Sequence, residues 1–184
     1  MTQQPEEVVL LDDAGTPIGT RAKSEVHTRS TPLHLAFSCY VFDDQGRLLI
    51  TRRALAKQTW PGVWSNSFCG HPLPGEALAD AVARRALDEL GAPVTRIRNV
   101  LPDFHYRAVD ASGIVENEQC PVFTAELDGE LAPADSEICD WSWIDPADLV
   151  TSVDAAPFVF SPWMGLQLPQ LEDLGALRRE PAHG

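Results

Sequence analysis

Three side-chain types in this 184-residue chain could do chemistry together: histidine, glutamate and one cysteine set in an unusual loop. Glu116 and Glu118 lie in IVENEQCPVFTAEL (114–127), whose period-two alternation predicts a strand with Glu116, Glu118 and Cys120 on one face. Two carboxylates on one buried face repel, so either the face is solvated or a cation draws both carboxylates in. Imidazole nitrogen combined with carboxylate oxygen suits divalent manganese, iron, zinc or magnesium-like ions. His27, His34 and His71 are the candidate nitrogen donors, although the seven-residue step from His27 to His34 fits neither the zinc-finger nor the HExxH spacing. His105, in DFHYR, reads as a strand histidine bonded locally, and His183 lies in the polar tail.

Cys69 belongs to WPGVWSNSFCGHPLPGE (60–76), which holds three prolines, three glycines and two tryptophans. That composition predicts a loop, with Trp60, Trp64 and Phe68 anchoring it in the core and Cys69 free to face a pocket. The other cysteines, Cys39, Cys120 and Cys139, sit in apolar, strand-like surroundings and read as buried small side chains. With no CxxC spacing, neither a disulfide framework nor a four-cysteine zinc site is expected.

These residues need a scaffold. Segments 8–23 and 33–54 read as hairpins turning at 12–15 and 43–46; the first arm of the second is apolar on both faces, as in a buried strand. GEALADAVARRALDELGA (75–92) reads as a helix with Ala79, Val82, Ala83, Ala86 and Leu90 on its apolar face and Gly91 as its stop. Its pairs Arg84–Asp88 and Arg85–Glu89 are four apart and read as surface salt bridges, each worth roughly 0.3–0.5 kcal/mol. One or two strands follow in 94–110, another in 138–145, and then a helix-like stretch, 156–174, interrupted by Pro162 and Pro169. Strands on both sides of a central helix predict a mixed α/β (α+β) sandwich in a single domain.

A net charge of −13 and the lack of a basic stripe argue against nucleic acid as partner. The apolar runs are too short for a bilayer span, and the N-terminal residues lack a signal-peptide pattern, so no membrane association and a cytoplasmic location are expected.

GHPLPGEALADAVARRALDELGA (70–92) resembles the Nudix box, G-x5-E-x7-R-E-U-x-E-E-x-G-U with U apolar. Gly70, Glu76, Arg84, Ala86, Glu89, Gly91 and Ala92 fit the pattern; Arg85 and Asp88 stand where it has glutamates. An arginine in place of a metal-gathering acid counts against diphosphate hydrolysis. TWPGVWSNSFCGHP, ENEQCPVF and FSPWM together resemble the type 1 isopentenyl diphosphate isomerases, a Nudix-fold family, over about residues 8 to 170. The resemblance implies a Nudix-like α/β/α sandwich. It implies a metal site of His27, His34, His71, Glu116 and Glu118 for manganese or zinc, and a magnesium ion shared by Glu89 and the substrate diphosphate. It makes Cys69 and Glu118 the catalytic pair with Tyr106 beside them. Lys23, Arg53, Lys57 and Arg85 become diphosphate-binding cations, and Tyr106 and Trp163 pocket walls. The expected layout is an N-terminal extension (1–30) that lends a metal ligand, a catalytic domain (31–175) and a flexible tail (176–184), acting as a monomer on a small diphosphate.

Overall fold

The computed structural model describes residues 6–178. The chain opens with the hairpin β1 (Glu7–Leu11) and β2 (Pro17–Ala22), one helical turn α1 (Lys23–Val26), and the short strand β3 (His34–Leu35). Next come β4 (Phe37–Phe42), β5 (Leu48–Arg53), β6 (Trp64–Ser65) and β7 (Phe68–Gly70). Helix α2 (Leu78–Leu90) leads to β8 (Val94–Leu101), β9 (His105–Val109), β10 (Val115–Gln119), β11 (Val122–Leu127) and β12 (Ile138–Ile144). Helix α3 (Pro146–Ala155), a 3-10 turn and α4 (Pro162–Asp173) complete the order.

Two sheets share the work. The first has the order β2-β1-β3-β10-β9; the second has β12-β5-β4-β11-β8, with β6 on β5 and β7 on β4. Residues 34–42 and 115–127 each run from the first sheet into the second. β10 pairs β3 in parallel, setting Glu118 opposite His34, and β11 then pairs β4 in parallel from Val122 opposite Ser38. The alternating run of 114–127 is therefore two strands, not one. It breaks at Cys120–Pro121, because Pro121 has no N–H to give a ladder.

β4 is buried along its whole length, as its two-sided apolar pattern predicts. Phe37, Cys39 and Val41 pack toward α2, against Ala81, Val82, Ala86 and Leu90. Ala36, Tyr40 and Phe42 pack toward α3 and α4, against Leu149, Val153, Trp163, Met164, Leu168 and Leu171. A sheet covered on both faces by helices is the α/β/α sandwich expected.

Several details differ from the sequence reading. Helix α2 starts at Leu78, and its buried face is Ala81, Val82, Arg85, Ala86, Glu89 and Leu90, whereas Ala79 is exposed. The helix is rotated so that a charged pair, not only alanines, turns inward. Pro169 does not interrupt α4; burial of Met164, Leu168 and Leu171 keeps the helix intact despite the missing N–H. Cys139 is exposed rather than buried, and Cys69 lies in the short strand β7 rather than in irregular loop. Ala176 and Leu177, placed in the expected tail, are buried at 9% and 6% exposure. In the expected N-terminal extension, β1 pairs β3 and so belongs to the first sheet. His183 and the rest of the tail beyond 178 lie outside the described residues.

Gly91 ends α2 at φ +66°, and a Cβ there would meet the Ala132 carbonyl oxygen at 2.2 Å. Gly91→Ala is expected to lower unfolding stability by about 1–3 kcal/mol, read from the urea midpoint at unchanged slope. An unchanged midpoint would show that the 132 segment yields freely.

Candidate active site

A pocket of about 190 Å³ opens between the two sheets and α2. At one side the neighbouring strands β3 and β10 bring His34 and Glu118 together. His27 arrives just after α1 and His71 just after β7. One donor atom from each of these four residues lies within 4.8 Å of the others. The imidazole centroids stand 5.2, 5.8 and 5.2 Å apart. His34 Nδ1 donates to the Pro32 carbonyl at 3.0 Å, which aims Nε2 inward. His34 Nε2 and His71 Nε2 each stand 3.4 Å from Glu118 Oε1.

Among the described residues, buried His34 Nε2 and both ring nitrogens of His71 have no hydrogen-bond partner. Leaving such atoms unsatisfied costs roughly 1–3 kcal/mol each. Convergent, unpaired imidazole nitrogens around a carboxylate are what a divalent ion would satisfy, so the donor set fits a metal. Burial pushes His27 and His71 down to about 4, which keeps them neutral and ready to ligate at neutral pH. Burial also opposes charge on His34, but the facing Glu118 outweighs it and raises that pKa. Glu118 is itself driven up by burial and more strongly down by His34 and His71, ending well below the usual carboxylate range.

Glu116, expected in the same metal site, is not one of the four clustered donors. Its Oε1 accepts from Thr59 Oγ1 at 2.6 Å and its Oε2 from Tyr106 at 2.6 Å. The Tyr106 hydroxyl also reaches Glu118 Oε2 at 3.0 Å, so one phenol links the two carboxylates. Burial and then the neighbouring Glu118 charge raise the Glu116 pKa.

Cys69 comes from the second sheet. Its thiol lies 3.4 Å from Ser38 Oγ and donates to Asn66 Oδ1 at 3.4 Å. Burial pushes it up to about 12 although both partners act to lower it, so it is a thiol at neutral pH. Trp163 is buried beside it, with Tyr106 5.7 Å and Trp60 5.4 Å from its ring.

The expected cations all line the pocket, and three are held by carboxylates. Lys23 pairs with Glu6 at 2.9 Å and Lys57 pairs with Glu137. Arg85 binds Glu89 through Nε at 3.1 Å and Nη2 at 2.5 Å, and stands 3.6 Å from Glu137. This pair is no surface bridge: Arg85 and Glu89 are 7% and 6% exposed. Arg84 belongs mainly to Glu76, at 2.8 Å. Gly70 explains how Arg85 fits, since a Cβ at Gly70 would meet Arg85 Cγ and Phe37 Cζ, each at 2.9 Å. Arg53 also lines the pocket. It donates to the carbonyls of Thr59 and Trp60, and its guanidinium carbon lies 5.4 Å from the Trp163 ring centroid. His105 bonds locally to the Asp103 carbonyl at 3.3 Å, as expected.

Sequence reasoning missed Glu6, Glu137, Ser38, Thr59 and Asn66. None carries a spacing signal, because each meets the site from a different element.

The NUDIX domain family model matches residues 32–164. The isopentenyl-diphosphate Delta-isomerase of Leifsonia xyli subsp. xyli is 60% identical over 173 residues, covering 93% of this chain and 94% of that protein. That of Paenarthrobacter aurescens is 59% identical, covering 94% of each. The chain belongs to the isopentenyl-diphosphate Delta-isomerase family. Among solved structures, the DR0079 protein of Deinococcus radiodurans superposes with a TM-score of 0.69 at 17% identity, covering 90% of this chain and 98% of that one. The MutT protein of Methanosarcina mazei Go1 gives 0.61 at 16%, covering 78% and 96%. At that identity the likeness concerns the fold alone. Among the described residues no helix is long and apolar enough to cross a membrane.

His27 and His71 titrate lower here than the 6.5 of a free histidine, so the unfolded chain takes up protons first as pH falls. Stability of chelator-treated protein is therefore expected to drop as pH falls from about 6.5 toward 4, with His34 partly offsetting the trend. Thermal midpoints measured across that window test it; a midpoint that climbs on acidification would mean that the two rings are not buried neutral.

Proposed function

We propose that this chain interconverts isopentenyl diphosphate and dimethylallyl diphosphate by adding a proton to one alkene carbon and removing one from another. The observation that carries the reading is the make-up of one pocket. It joins Lys23, Lys57 and Arg85 to Cys69 and Glu118 around the rings of Trp163 and Tyr106. The relatives named for this activity match over nearly the whole chain.

Isomerisation shifts the double bond from C3–C4 to C2–C3. A proton adds at C4, a tertiary carbocation-like state forms, and a proton leaves C2. One group must give a proton and another must take one, and a positioned side chain contributes roughly 10²–10⁴-fold to each transfer. Cys69 and Glu118 form that pair, one from each sheet. Tyr106 sits between Glu118 and Glu116 and donates a hydrogen bond toward each carboxylate, which orients both. Either Glu118 gives and Cys69 takes, or the roles are exchanged. Reversibility of the reaction requires both groups to serve in both senses.

Water would trap the cation as an alcohol. Trp163 and Tyr106 exclude it, and a cation over an aromatic face gains roughly 0.5–2 kcal/mol. Lys23, Lys57 and Arg85 take the diphosphate, and their present carboxylate partners must then yield them. Arg85 stands where a Nudix hydrolase has an acid, so charge there neutralises substrate rather than gathering metal. His27, His34, His71 and Glu118, with Glu116 as the fifth ligand, would hold a manganese or zinc ion; Glu89 would share a magnesium ion with the diphosphate. Such ions supply positive charge that fixes the carboxylates and screens the phosphates. A monomer is the acting unit that the resemblance to this family implies.

Protein, magnesium and isopentenyl diphosphate in deuterated water should give dimethylallyl diphosphate with deuterium in a methyl group, followed by NMR. Cys69→Ser and Glu118→Gln should each slow turnover by roughly 10²–10⁴-fold. Release of inorganic phosphate or diphosphate, with no isomer formed, would replace this reading by hydrolysis.

A further inference from the structure

Between β6 and β7, in the SNS run of the loop, lies a side chain assigned no role so far. Asn66 is fully buried. Its Nδ2 donates to the carbonyls of Cys39 at 3.0 Å and Phe68 at 2.7 Å. Both amide hydrogens are thereby spent on backbone acceptors, and this fixes which end of the amide is oxygen. Oδ1 then faces the pocket and accepts from three donors. These are the Trp163 indole N–H at 2.9 Å, the Ser65 hydroxyl at 2.9 Å and the Cys69 thiol at 3.4 Å. The indole N–H also reaches Ser65 Oγ at 3.1 Å, and Ser65 Oγ lies 2.9 Å from Ser161 Oγ at the start of α4.

We infer that Asn66 is a positioning residue, which sets the Cys69 thiol and the Trp163 indole at a fixed separation by binding both through one oxygen. The inference rests on the function proposed above and adds a residue to it. The two groups come from distant parts of the chain, β7 and α4, so packing alone must otherwise bring them into register. A hydrogen bond is directional where packing is not. Asn66 is in turn anchored to β4 through the Cys39 carbonyl, the strand that runs from the metal-bearing ladder. The thiol, the aromatic wall and the metal cluster thus refer to one strand.

The sulfur has a second partner that the same network orients. Gln167 Nε2 donates to Ser38 Oγ at 2.9 Å, while Gln167 Oε1 accepts from Tyr40 at 2.9 Å. Accepting from Gln167 uses one of the two lone pairs of Ser38, and its own proton can point to Cys69 or Cys120, each 3.4 Å away. The Cys69 sulfur therefore donates toward Asn66 and can accept from Ser38, which leaves its direction little freedom. A misplacement of about 1 Å in a reacting group costs roughly 10²-fold in rate.

The test compares Asn66→Ala and Asn66→Asp with wild type. Asn66→Ala removes the shared acceptor. Asn66→Asp keeps an oxygen toward the pocket but sets a second oxygen against two carbonyls, so it loosens the anchor. Asn66→Ala should lower kcat by roughly 10²-fold while KM for isopentenyl diphosphate stays within about two-fold, because no diphosphate cation touches Asn66. In an indole ¹⁵N-labelled sample the Trp163 N–H resonance, assigned with Trp163→Phe, should move upfield in Asn66→Ala and keep nearly its wild-type position in Asn66→Asp. If Asn66→Ala fails to fold, Asn66→Asp alone decides, with a smaller kcat loss at unchanged KM. A variant with wild-type kcat, or one whose loss matches only a smaller folded fraction, overturns the inference while leaving the proposed function standing. A wild-type protein that does not isomerise the substrate overturns both.

Discussion

A buried carboxylate faces two imidazoles where β10 runs parallel to β3, with Glu118 opposite His34 in register. The rest of the site depends on that pairing. Parallel strands need a long crossover, so β3 and β10 come from far-separated parts of the chain. Once they are in register, His71 and His27 can close on the same carboxylate, and the four donors converge. Three buried nitrogens with no hydrogen-bond partner among the described residues would be a liability in an ordinary core. Their cost makes sense for a site that a divalent ion completes.

The ladder has a second consequence. Both of its segments continue into the other sheet, as β4 and β11, where they form the centre of the sandwich. The metal cluster and the hydrophobic core are therefore built on the same two stretches of chain. Cys69, on β7, pairs in register with Ser38 on β4, three residues beyond the paired end of β3. Displacing the core would displace the thiol and the cluster together.

Charge is arranged in the same economical way. Arg85 and Glu89 occupy inward positions of α2 that an amphipathic helix normally gives to apolar residues. They stay buried because they are paired and because Glu137 and Glu6 approach from other elements. Carboxylates that hold Lys23, Lys57 and Arg85 keep cationic side chains extended into the pocket. In the proposed reaction the diphosphate would exchange one anion partner for another instead of assembling the cations from solvent.

Much was legible in the sequence. Periodicity located the strands, the central helix and its Gly91 stop, since side-chain alternation and backbone propensity act locally. The separated motifs that resemble the isomerase family named the histidines, Cys69 and Glu118, because residue identity survives where geometry is unseen. Tertiary structure alone decided which face of α2 turns inward, and so that Arg85–Glu89 is a buried pair and not a solvated one. It alone split 114–127 across two sheets, bonded Glu116 to Thr59 and Tyr106, and gave Asn66 its three donors. These outcomes depend on contacts between residues tens of positions apart. No local pattern encodes such contacts, because the free energy that selects them is that of the whole packed core.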